Sequence, residues 1–366
     1  MSRVRRAIKI ISINLLISIV LLVPIELIFG DWLSDDTAIS MLNVRPNTVD
    51  VRESPLYPPG NTITFSRDKY GFRAGRIVAS KIDVLVIGGS TTAERMVDDA
   101  DLWTVRLQRL LAEQGCQLNI ANAGIDGYST SGHIASFEQW FNRIPGLKPR
   151  YMLVYVGIND SVLPEGIENP ADPQTFKRGW RRIGHYIAAH SALRRAYVTL
   201  RAWWAARQMG LLHGEAPVTP ENEWEPVELP GFGTLAAPRQ AAYRGRLERL
   251  DGLIRGFGAV PVYITQMRVD GRETNGNGNG NGHWLQVRGG AHLGALSTAF
   301  LLAINETTLQ FCRDSGEICI DLANKLHFMP GDFYDGVHNT LAGSRRIADF
   351  LAGELAPILC RSQPSR

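Results

Sequence analysis

Two segments that are far apart in the chain carry the residue types that acyl transfer needs. Ser90 follows an apolar run in VLVIGGSTT, and Asp335 and His338 lie near the C-terminus in FYDGVH. A serine hydroxyl is a poor nucleophile until a histidine takes its proton. A carboxylate three residues before the histidine can hold the second ring nitrogen from the same tight loop. These residues predict a catalytic triad in the chain order Ser, Asp, His.

Two further segments offer hydrogen-bond donors for a tetrahedral oxyanion. Gly124 lies in NAGIDGYST and Asn159 in YVGIND, each after a strand-like run. A glycine lets its backbone N–H approach a substrate with no side chain in the way, and an Asn amide can point an N–H at the same oxygen. Taken singly, both are ordinary turn residues, as we read Gly127. Together with the N–H of Ser90, they predict an oxyanion hole.

These segments, in this order, resemble the blocks of the SGNH/GDSL-type hydrolases, with Ser90, Gly124, Asn159 and His338 as the four lettered residues. The family usually has Asp where this chain has Gly89. The resemblance implies a flavodoxin-like fold and ester chemistry that needs no cofactor.

Other parts of the chain extend the likeness. DKYGFRAG at 68–75 resembles the lead-in of membrane-anchored bacterial members of the family, and NTLAGSRRIA after His338 resembles the family's closing helix. The resemblance covers about 68–160 and 240–358. The sequence contains no H-E-x-x-H motif and no acidic cluster with calcium-loop spacing, so we expect no metal.

The elements that must position these residues alternate between strand and helix. The first strand, IDVLVIG, is apolar throughout, as a strand buried on both faces should be. Such alternation predicts a doubly wound, five-stranded parallel sheet of order 2-1-3-4-5. The predicted strands are 82–88, 117–121, 151–156, 260–265 and 317–322, and the predicted helices are 103–114, 131–143, 238–257, 294–314 and 340–358.

The N-terminus predicts a membrane anchor. Residues 10–29 form an apolar stretch of about the length that spans a bilayer. Basic residues precede it and acidic residues follow it, which predicts a cytoplasmic N-terminus and a periplasmic catalytic domain at the bacterial inner membrane. A cleaved signal peptide is the alternative. We interpret Glu26, near the outer end, as tolerated rather than functional.

Charge argues against a nucleic-acid partner. The chain has 39 basic and 36 acidic residues. Residues 1–30 hold four of the basic residues and one acidic residue, so the remainder is formally neutral. Phosphate binding needs a basic footprint that this remainder lacks.

The predicted domains are an anchor at 1–30, an extended collar at 31–80, and a hydrolase domain at 81–360. The last contains an insertion at about 165–237. Within the insertion, residues 180–209 have apolar residues at helical spacing and a basic opposite side. We expect this helix to pack against the core, with an anionic membrane surface as the alternative. We predict a flexible loop for NGNGNGNG at 275–282.

The four cysteines allow disulfides without requiring them. Free buried thiols and disulfides are equally compatible with the sequence. If disulfides form, we expect Cys116 to pair with Cys360, since the first and last helices of such a sheet share a face. Cys312 would pair with Cys319 across a short turn.

The predicted function is a serine esterase that acts on acyl esters, with O-acetyl groups of envelope polysaccharide or an acylated small molecule as the substrate implied by the resemblance. An O-acyltransferase that passes the acyl group to a sugar hydroxyl would use the same residues. A non-catalytic polysaccharide-binding scaffold is the second alternative.

Overall fold

The structure is a computed structural model. It describes residues 2–30, 32, 42, 44–75, 77–162, 190–194, 196, 197, 200, 204, 224–269, 271–273, 283–288 and 292–360. The described chain divides into two compact units, one of residues 1–43 and 173–212 and the other of residues 44–172 and 213–366. The NG repeat at 275–282 and most of the insertion lie outside the described residues.

The strands form a parallel sheet and two smaller antiparallel groups. Their bounds are β1 Thr48–Glu53, β2 Thr62–Arg67, β3 Val84–Gly88, β4 Ile120–Asn122, β5 Tyr151–Tyr155, β6 Trp224–Leu229, β7 Val260–Ile264, β8 Gly271–Glu273, β9 His283–Arg288 and β10 Ile318–Ile320.

The helices mostly follow strands of the parallel sheet. Their bounds are α1 Ser2–Phe29, α2 Ser90–Ala93, α3 Trp103–Glu113, α4 Thr130–Gln139, α5 Ile158–Val162, α6 Phe232–Gly256, α7 His292–Ser315, α8 Leu322–Lys325 and α9 Leu341–Leu359.

The central sheet has the order β4-β3-β5-β7-β10, and every pair in it is parallel. Counted along the chain, this is the predicted order 2-1-3-4-5. All five residues of β3 are buried, because helices cover both faces of the sheet. The carboxyl ends of β3, β4 and β5 therefore meet at one edge, where open α/β sheets place their ligand sites.

One face of the sheet is covered by α3, the helix between β3 and β4, and by α9, the last helix of the second unit. Leu107 and Leu111 of α3 and Leu351 and Leu355 of α9 are fully buried in one apolar cluster with the strands. Each buried leucine contributes roughly 1.5–3 kcal/mol of transfer free energy. This layer fixes the end of the sheet from which the Ser90 segment emerges.

The opposite face is covered by α4, α6 and α7. Tyr243, Leu247 and Ile254 of α6 are fully buried, and Tyr263 of β7 meets Phe311 of α7 edge to face, with ring centroids 5.3 Å apart. Such aromatic pairs add about 0.5–1.5 kcal/mol to the burial of area.

Two antiparallel elements were not predicted. Residues 31–80 were expected to be an extended collar, yet β1 and β2 form a hairpin in the same unit as the sheet. No strand was predicted within the insertion at about 165–237, yet β6 pairs with β9 in a three-stranded sheet of order β6-β9-β8. Apolar and polar residues alternate only weakly along these short strands. Their strand conformation therefore depends on pairing with other segments of the chain.

In the first unit, α1 covers the segment predicted as a membrane anchor. Across the described ranges, no helix combines the length and the apolar character that crossing a membrane requires. The membrane span at 10–29 thus stays a prediction.

Glu26 of α1 has a structural role that the sequence did not reveal. Its carboxylate accepts hydrogen bonds from Ser191 Oγ at 2.6 Å, Ala192 N at 2.8 Å and Leu193 N at 3.2 Å. Residues 192–194 are helical, so Glu26 caps the start of that turn. The interpretation of Glu26 as merely tolerated is wrong.

The helical face that begins at this turn does not pack into a core. Leu193, Tyr197, Leu200 and Trp204 lie at helical spacing, and all four are exposed, Leu200 to 66%. The expectation of a core-packing helix is wrong for these four residues. The other members of that face, Ile183 and Ile187, lie outside the described residues.

Both disulfides considered from the sequence are present. Cys116 is bonded to Cys360, with the Cα atoms 5.5 Å apart, and Cys312 to Cys319, with the Cα atoms 6.1 Å apart. The first joins the end of α3 to the end of α9, on the face predicted for it. Free thiols are therefore excluded for all four cysteines.

Removing the two disulfides should have unequal effects on stability. The Cys116–Cys360 bond closes 244 residues and the other only 7. Constraint of the unfolded chain grows with loop length, so the double substitution to Ala at 116 and 360 should lower the free energy of unfolding by about 2–5 kcal/mol. The matched substitution at 312 and 319 should cost less. Urea denaturation of both variants measures this, and an equal loss in the two would contradict the loop-length argument.

Candidate active site

Ser90 sits where a buried strand turns directly into a helix. Strand β3 ends at Gly88, and Ser90 is the first residue of α2. A Cβ on Gly88 would lie only 2.7 Å from the carbonyl oxygen of Tyr155, so only glycine fits there. The tight turn presents the Ser90 hydroxyl at the carboxyl edge of the sheet.

The predicted triad is assembled in hydrogen-bonding order. His338 Nε2 lies 2.8 Å from Ser90 Oγ, and His338 Nδ1 lies 2.6 Å from Asp335 Oδ2. The other oxygen of Asp335 accepts the backbone N–H groups of Val337 at 2.9 Å and His338 at 2.7 Å. The loop thus holds the carboxylate from three directions, and the carboxylate orients the imidazole.

The surroundings keep Asp335 ionised. Burial alone would raise the pKa of its carboxyl, but the hydrogen bonds from His338 and the two backbone N–H groups outweigh burial and lower the pKa below its ordinary value. The ring of Tyr334 stacks on that of His338, with centroids 5.6 Å apart. An ionised carboxylate behind a fixed imidazole is the arrangement that lets a histidine accept a proton.

Asn159 reaches the same edge from α5. Its Nδ2 donates to the carbonyl oxygen of Tyr128 at 2.8 Å, and a Cβ on Gly89 would come within 2.6 Å of that nitrogen. The amide therefore lies directly against the backbone that precedes Ser90. The amide has a second proton, which remains for a substrate oxygen. The SGNH/GDSL-type hydrolases usually have Asp at the position of Gly89. Because Gly89 has no side chain, the Asn159 amide can occupy that space.

Gly124 is close to the nucleophile but its backbone groups are already engaged. Its N–H donates to Asn122 Oδ1 at 2.9 Å, and its carbonyl oxygen accepts from Arg67 Nη2 at 2.8 Å. A Cβ on Gly124 would lie 2.5 Å from the backbone nitrogen of Ala93. Gly124 is thus required for close packing against α2, and its N–H does not point a free donor at a substrate.

Gly127 lies in a turn after β4, as expected from the sequence. The N–H of Tyr128 closes this turn onto Ile125 O at 3.2 Å, and Gly127 has φ +75°, which glycine adopts readily. Gly127 is exposed, and a Cβ there would meet nothing within 4 Å. Asn159 Nδ2 donates to the carbonyl oxygen of Tyr128, the residue that follows Gly127 in this turn.

Gln266 is a supporting residue that sequence reasoning missed. It is 2% exposed and follows β7 by two residues. Its Oε1 accepts from Ile158 N at 2.8 Å, and its Nε2 donates to Thr91 Oγ1 at 3.0 Å. The side chain therefore joins the Asn159 segment to the helix of Ser90. A polar residue directly after an apolar strand was the signal available in VPVYITQ.

Asp160, the residue after Asn159, anchors α5 through its buried carboxylate. It is fully buried and accepts from Thr130 Oγ1 at 2.6 Å and from Arg246 Nη2 at 3.1 Å. Burial raises the pKa of Asp160, although Arg246 and Thr130 oppose the rise.

Among the described residues, no group of three or more His, Cys, Asp or Glu side chains could hold a metal ion.

Comparison with known proteins gives the site its context. An alignment to Esterase TesA of Pseudomonas aeruginosa has 31% identity over 83 residues, which are 22% of this chain and 38% of that protein. The chain thus aligns with well under half of that relative's length.

Among solved structures, the crystal structure of TesA matches with a TM-score of 0.41 and 15% identity, covering 75% of this chain and 98% of that one. The lipase/acylhydrolase from Enterococcus faecalis matches with a TM-score of 0.42 and 14% identity, covering 78% and 100%.

The family is decided by a match that spans more than half of the chain. Residues 86–294 fit the model of the GDSL-like lipase/acylhydrolases, a range that contains Ser90, Gly124 and Asn159. The family expected from the four segments is confirmed: the chain belongs to the GDSL-like Lipase/Acylhydrolase family.

Proposed function

We propose that the protein is a serine esterase that hydrolyses acyl esters through Ser90, His338 and Asp335. The observation that carries this proposal is the unbroken line of hydrogen bonds from Asp335 Oδ2 through the imidazole to Ser90 Oγ, at 2.6 and 2.8 Å. A scaffold that only binds polysaccharide would not need a serine, a histidine and a carboxylate in this hydrogen-bonded order.

The reaction follows from the geometry in two steps. His338 Nε2 takes the proton of Ser90 as Oγ bonds to the ester carbonyl carbon, and the imidazolium then gives that proton to the leaving alcohol. Water attacks the acyl-enzyme and loses a proton to His338, and His338 returns that proton to Ser90 Oγ as the ester bond breaks and the acid is released. Asp335 stabilises the imidazolium and transfers no proton itself.

For the oxyanion we assign the N–H of Ser90 and the second amide proton of Asn159. The N–H of Gly124, the third expected donor, donates to Asn122 Oδ1 at 2.9 Å in this structure, so it would have to leave that bond to reach a substrate oxygen. Preorganised donors around one oxygen supply several kcal/mol of transition-state stabilisation.

For the substrate we propose O-acetyl groups on envelope polysaccharide. The support is the likeness of the segment at 68–75 to the lead-in of membrane-anchored family members. The same residues would serve acyl transfer to a sugar hydroxyl, so the assay must include an acceptor sugar.

For the location we propose a single-pass anchor at 10–29, with the catalytic unit outside the cytoplasm. The apolar stretch with basic residues before it and acidic residues after it supports this topology. Val20, Leu27 and Phe29 are each more than 60% exposed on α1. The two disulfides favour an oxidising compartment.

Substitutions across the site should give a graded loss of hydrolysis. Ser90→Ala and His338→Ala should each leave only residual activity on p-nitrophenyl acetate, and the double variant should be little worse, because the triad acts as a unit. Asn159→Ala removes one donor while attack remains possible, so kcat should fall by about 10²–10³. A fluorophosphonate probe should label the wild type and Asn159→Ala but not Ser90→Ala. Full activity in a folded Ser90→Ala variant would refute the nucleophile assignment.

Asp335→Asn should be more damaging than the loss of one oxyanion donor. The amide that replaces the carboxylate would favour the wrong tautomer of His338, and we expect kcat to fall by roughly 10⁴.

Mass analysis of the products formed by the wild type with an added acceptor sugar distinguishes hydrolysis from acyl transfer. Acylated sugar with little free acid would assign the chain to acyl transfer and leave each residue's role unchanged.

The topology predicts the behaviour of reporter fusions. Alkaline phosphatase joined after residue 60 should be active, because that enzyme needs an oxidising compartment for its disulfides. A cytosolic reporter at the same point should be silent. The opposite pair of results would place the catalytic unit in the cytoplasm.

A further inference from the structure

Glu94 is a buried carboxyl in a backbone conformation that glutamate avoids. It ends α2 with φ 45° and ψ 60°, in the left-handed region, and it is only 5% exposed. Glycine adopts this conformation without steric cost. A larger residue persists there only where the surrounding structure fixes it, and such strain concentrates at functional sites.

On one side, Glu94 is tied to the nucleophile. Its N–H donates to the carbonyl oxygen of Ser90 at 2.8 Å, which closes the turn that carries the hydroxyl. Its Oε2 accepts the backbone N–H of Trp103, the first residue of α3, at 2.9 Å. The indole of Trp103 in turn donates to Thr91 O at 3.1 Å. The carboxyl thus caps α3 and locks it against α2.

On the other side, the same carboxyl reaches the element that follows the catalytic histidine. Ser344 Oγ, in the first turn of α9, donates to Glu94 Oε2 at 3.2 Å. Ser344 N also donates to Thr340 O at 2.8 Å, two residues after His338. Asn339, the neighbour of His338, lies against the carboxyl and lowers its pKa.

We propose that Glu94 is a positioning residue: its side chain holds the helix of Ser90 in register with the loop of His338. The inference rests on the proposed esterase function. Ser90 and His338 meet through a single hydrogen bond of 2.8 Å, and they belong to separate elements with no covalent neighbour in common. A displacement of about 1 Å between such groups can cost on the order of 10²-fold in rate.

Glutamine is a close isostere of Glu94, because the Glu94 carboxyl is largely uncharged at neutral pH. Burial raises the pKa of Glu94 to about 8, while its hydrogen bonds with Trp103 and Ser344 and the guanidinium of Arg73 oppose the rise. Two tyrosines also face it, and the carboxylate contributes to the raised pKa of both Tyr155 and Tyr334. At neutral pH the carboxyl is therefore largely protonated, and glutamine reproduces its shape and neutrality.

Three variants separate positioning from backbone strain. Glu94→Gly suits the left-handed backbone but removes the bridge, so kcat for p-nitrophenyl acetate should fall on the order of 10–100-fold while KM stays within about twofold, since ground-state binding is untouched. Glu94→Gln should restore most of kcat at pH 7. Glu113→Gln, at an exposed position of α3, is the matched control and should behave as wild type.

A second readout follows the pKa of the carboxyl. The unfolded chain ionises Glu94 near its ordinary pKa, whereas the folded chain keeps it protonated until about pH 8. Wild-type stability should therefore be lost progressively as the pH rises through this window. The melting temperature of Glu94→Gln should gain on that of the wild type over the same range, and Glu113→Gln should show no such gain.

The outcomes are distinguishable. A wild type that neither hydrolyses the ester nor reacts with a fluorophosphonate overturns the esterase function and this inference with it. An active wild type whose folded Glu94→Gly variant matches Glu113→Gln overturns the role of Glu94 alone. If Glu94→Gly does not fold, Ser344→Ala removes the donor on the histidine side, together with the contact of that hydroxyl with Asp101 O at 3.3 Å. An unchanged kcat in folded Ser344→Ala then overturns the inference.

Discussion

The hydrogen bond between Ser90 Oγ and His338 Nε2 is the interaction on which the rest of the second unit depends. It joins residues 248 positions apart, so no local preference can set its length. One partner is fixed by the buried strand β3 and the turn at Gly88. The other is fixed by a loop whose carboxylate, Asp335, accepts two backbone N–H groups of its own loop. The sheet and the helices α3 and α9 hold the segments that carry Ser90 and His338, whose Oγ and Nε2 atoms lie 2.8 Å apart.

Buried polar side chains, rather than apolar packing, make that edge rigid. Gln266 spans from Ile158 N to Thr91 Oγ1, and Arg67 of the β1–β2 hairpin donates to Gly124 O. Each such group would cost about 1–3 kcal/mol if it were buried without a partner, so the network is stable only when all members are in place. This explains why the hairpin belongs to the catalytic unit and is not a mere spacer: its Arg67 holds the segment that follows β4.

The sequence was informative where chemistry and periodicity coincide. The strand order, Ser90 and Asn159 follow from apolar runs that each end in a polar or glycine-containing segment, since parallel strands bring such segments to one edge. Asp335 and His338 follow from their spacing within one loop. Gly124 shows the limit of that reasoning. Its position after β4 was right, but whether its N–H is engaged depends on the side chain of Asn122, and a one-dimensional pattern does not contain that hydrogen bond. The β6-β9-β8 sheet was missed for a similar reason, because its pairing is set by partners that are distant in the chain.

Glu94 shows a different kind of failure. By local rules, a glutamate at the end of a four-residue helix is an unremarkable surface residue, and glycine would suit the left-handed turn better. Consistency between local preference and fold is the norm in natural sequences, so a residue that breaks a local rule while buried identifies a position where another demand prevails. Here the demand is geometric: one carboxyl must reach Trp103 N and Ser344 Oγ together. Only a side chain that carries an acceptor at this distance from the backbone meets the demand. The strained backbone conformation is therefore retained at Glu94, four residues after the nucleophile Ser90.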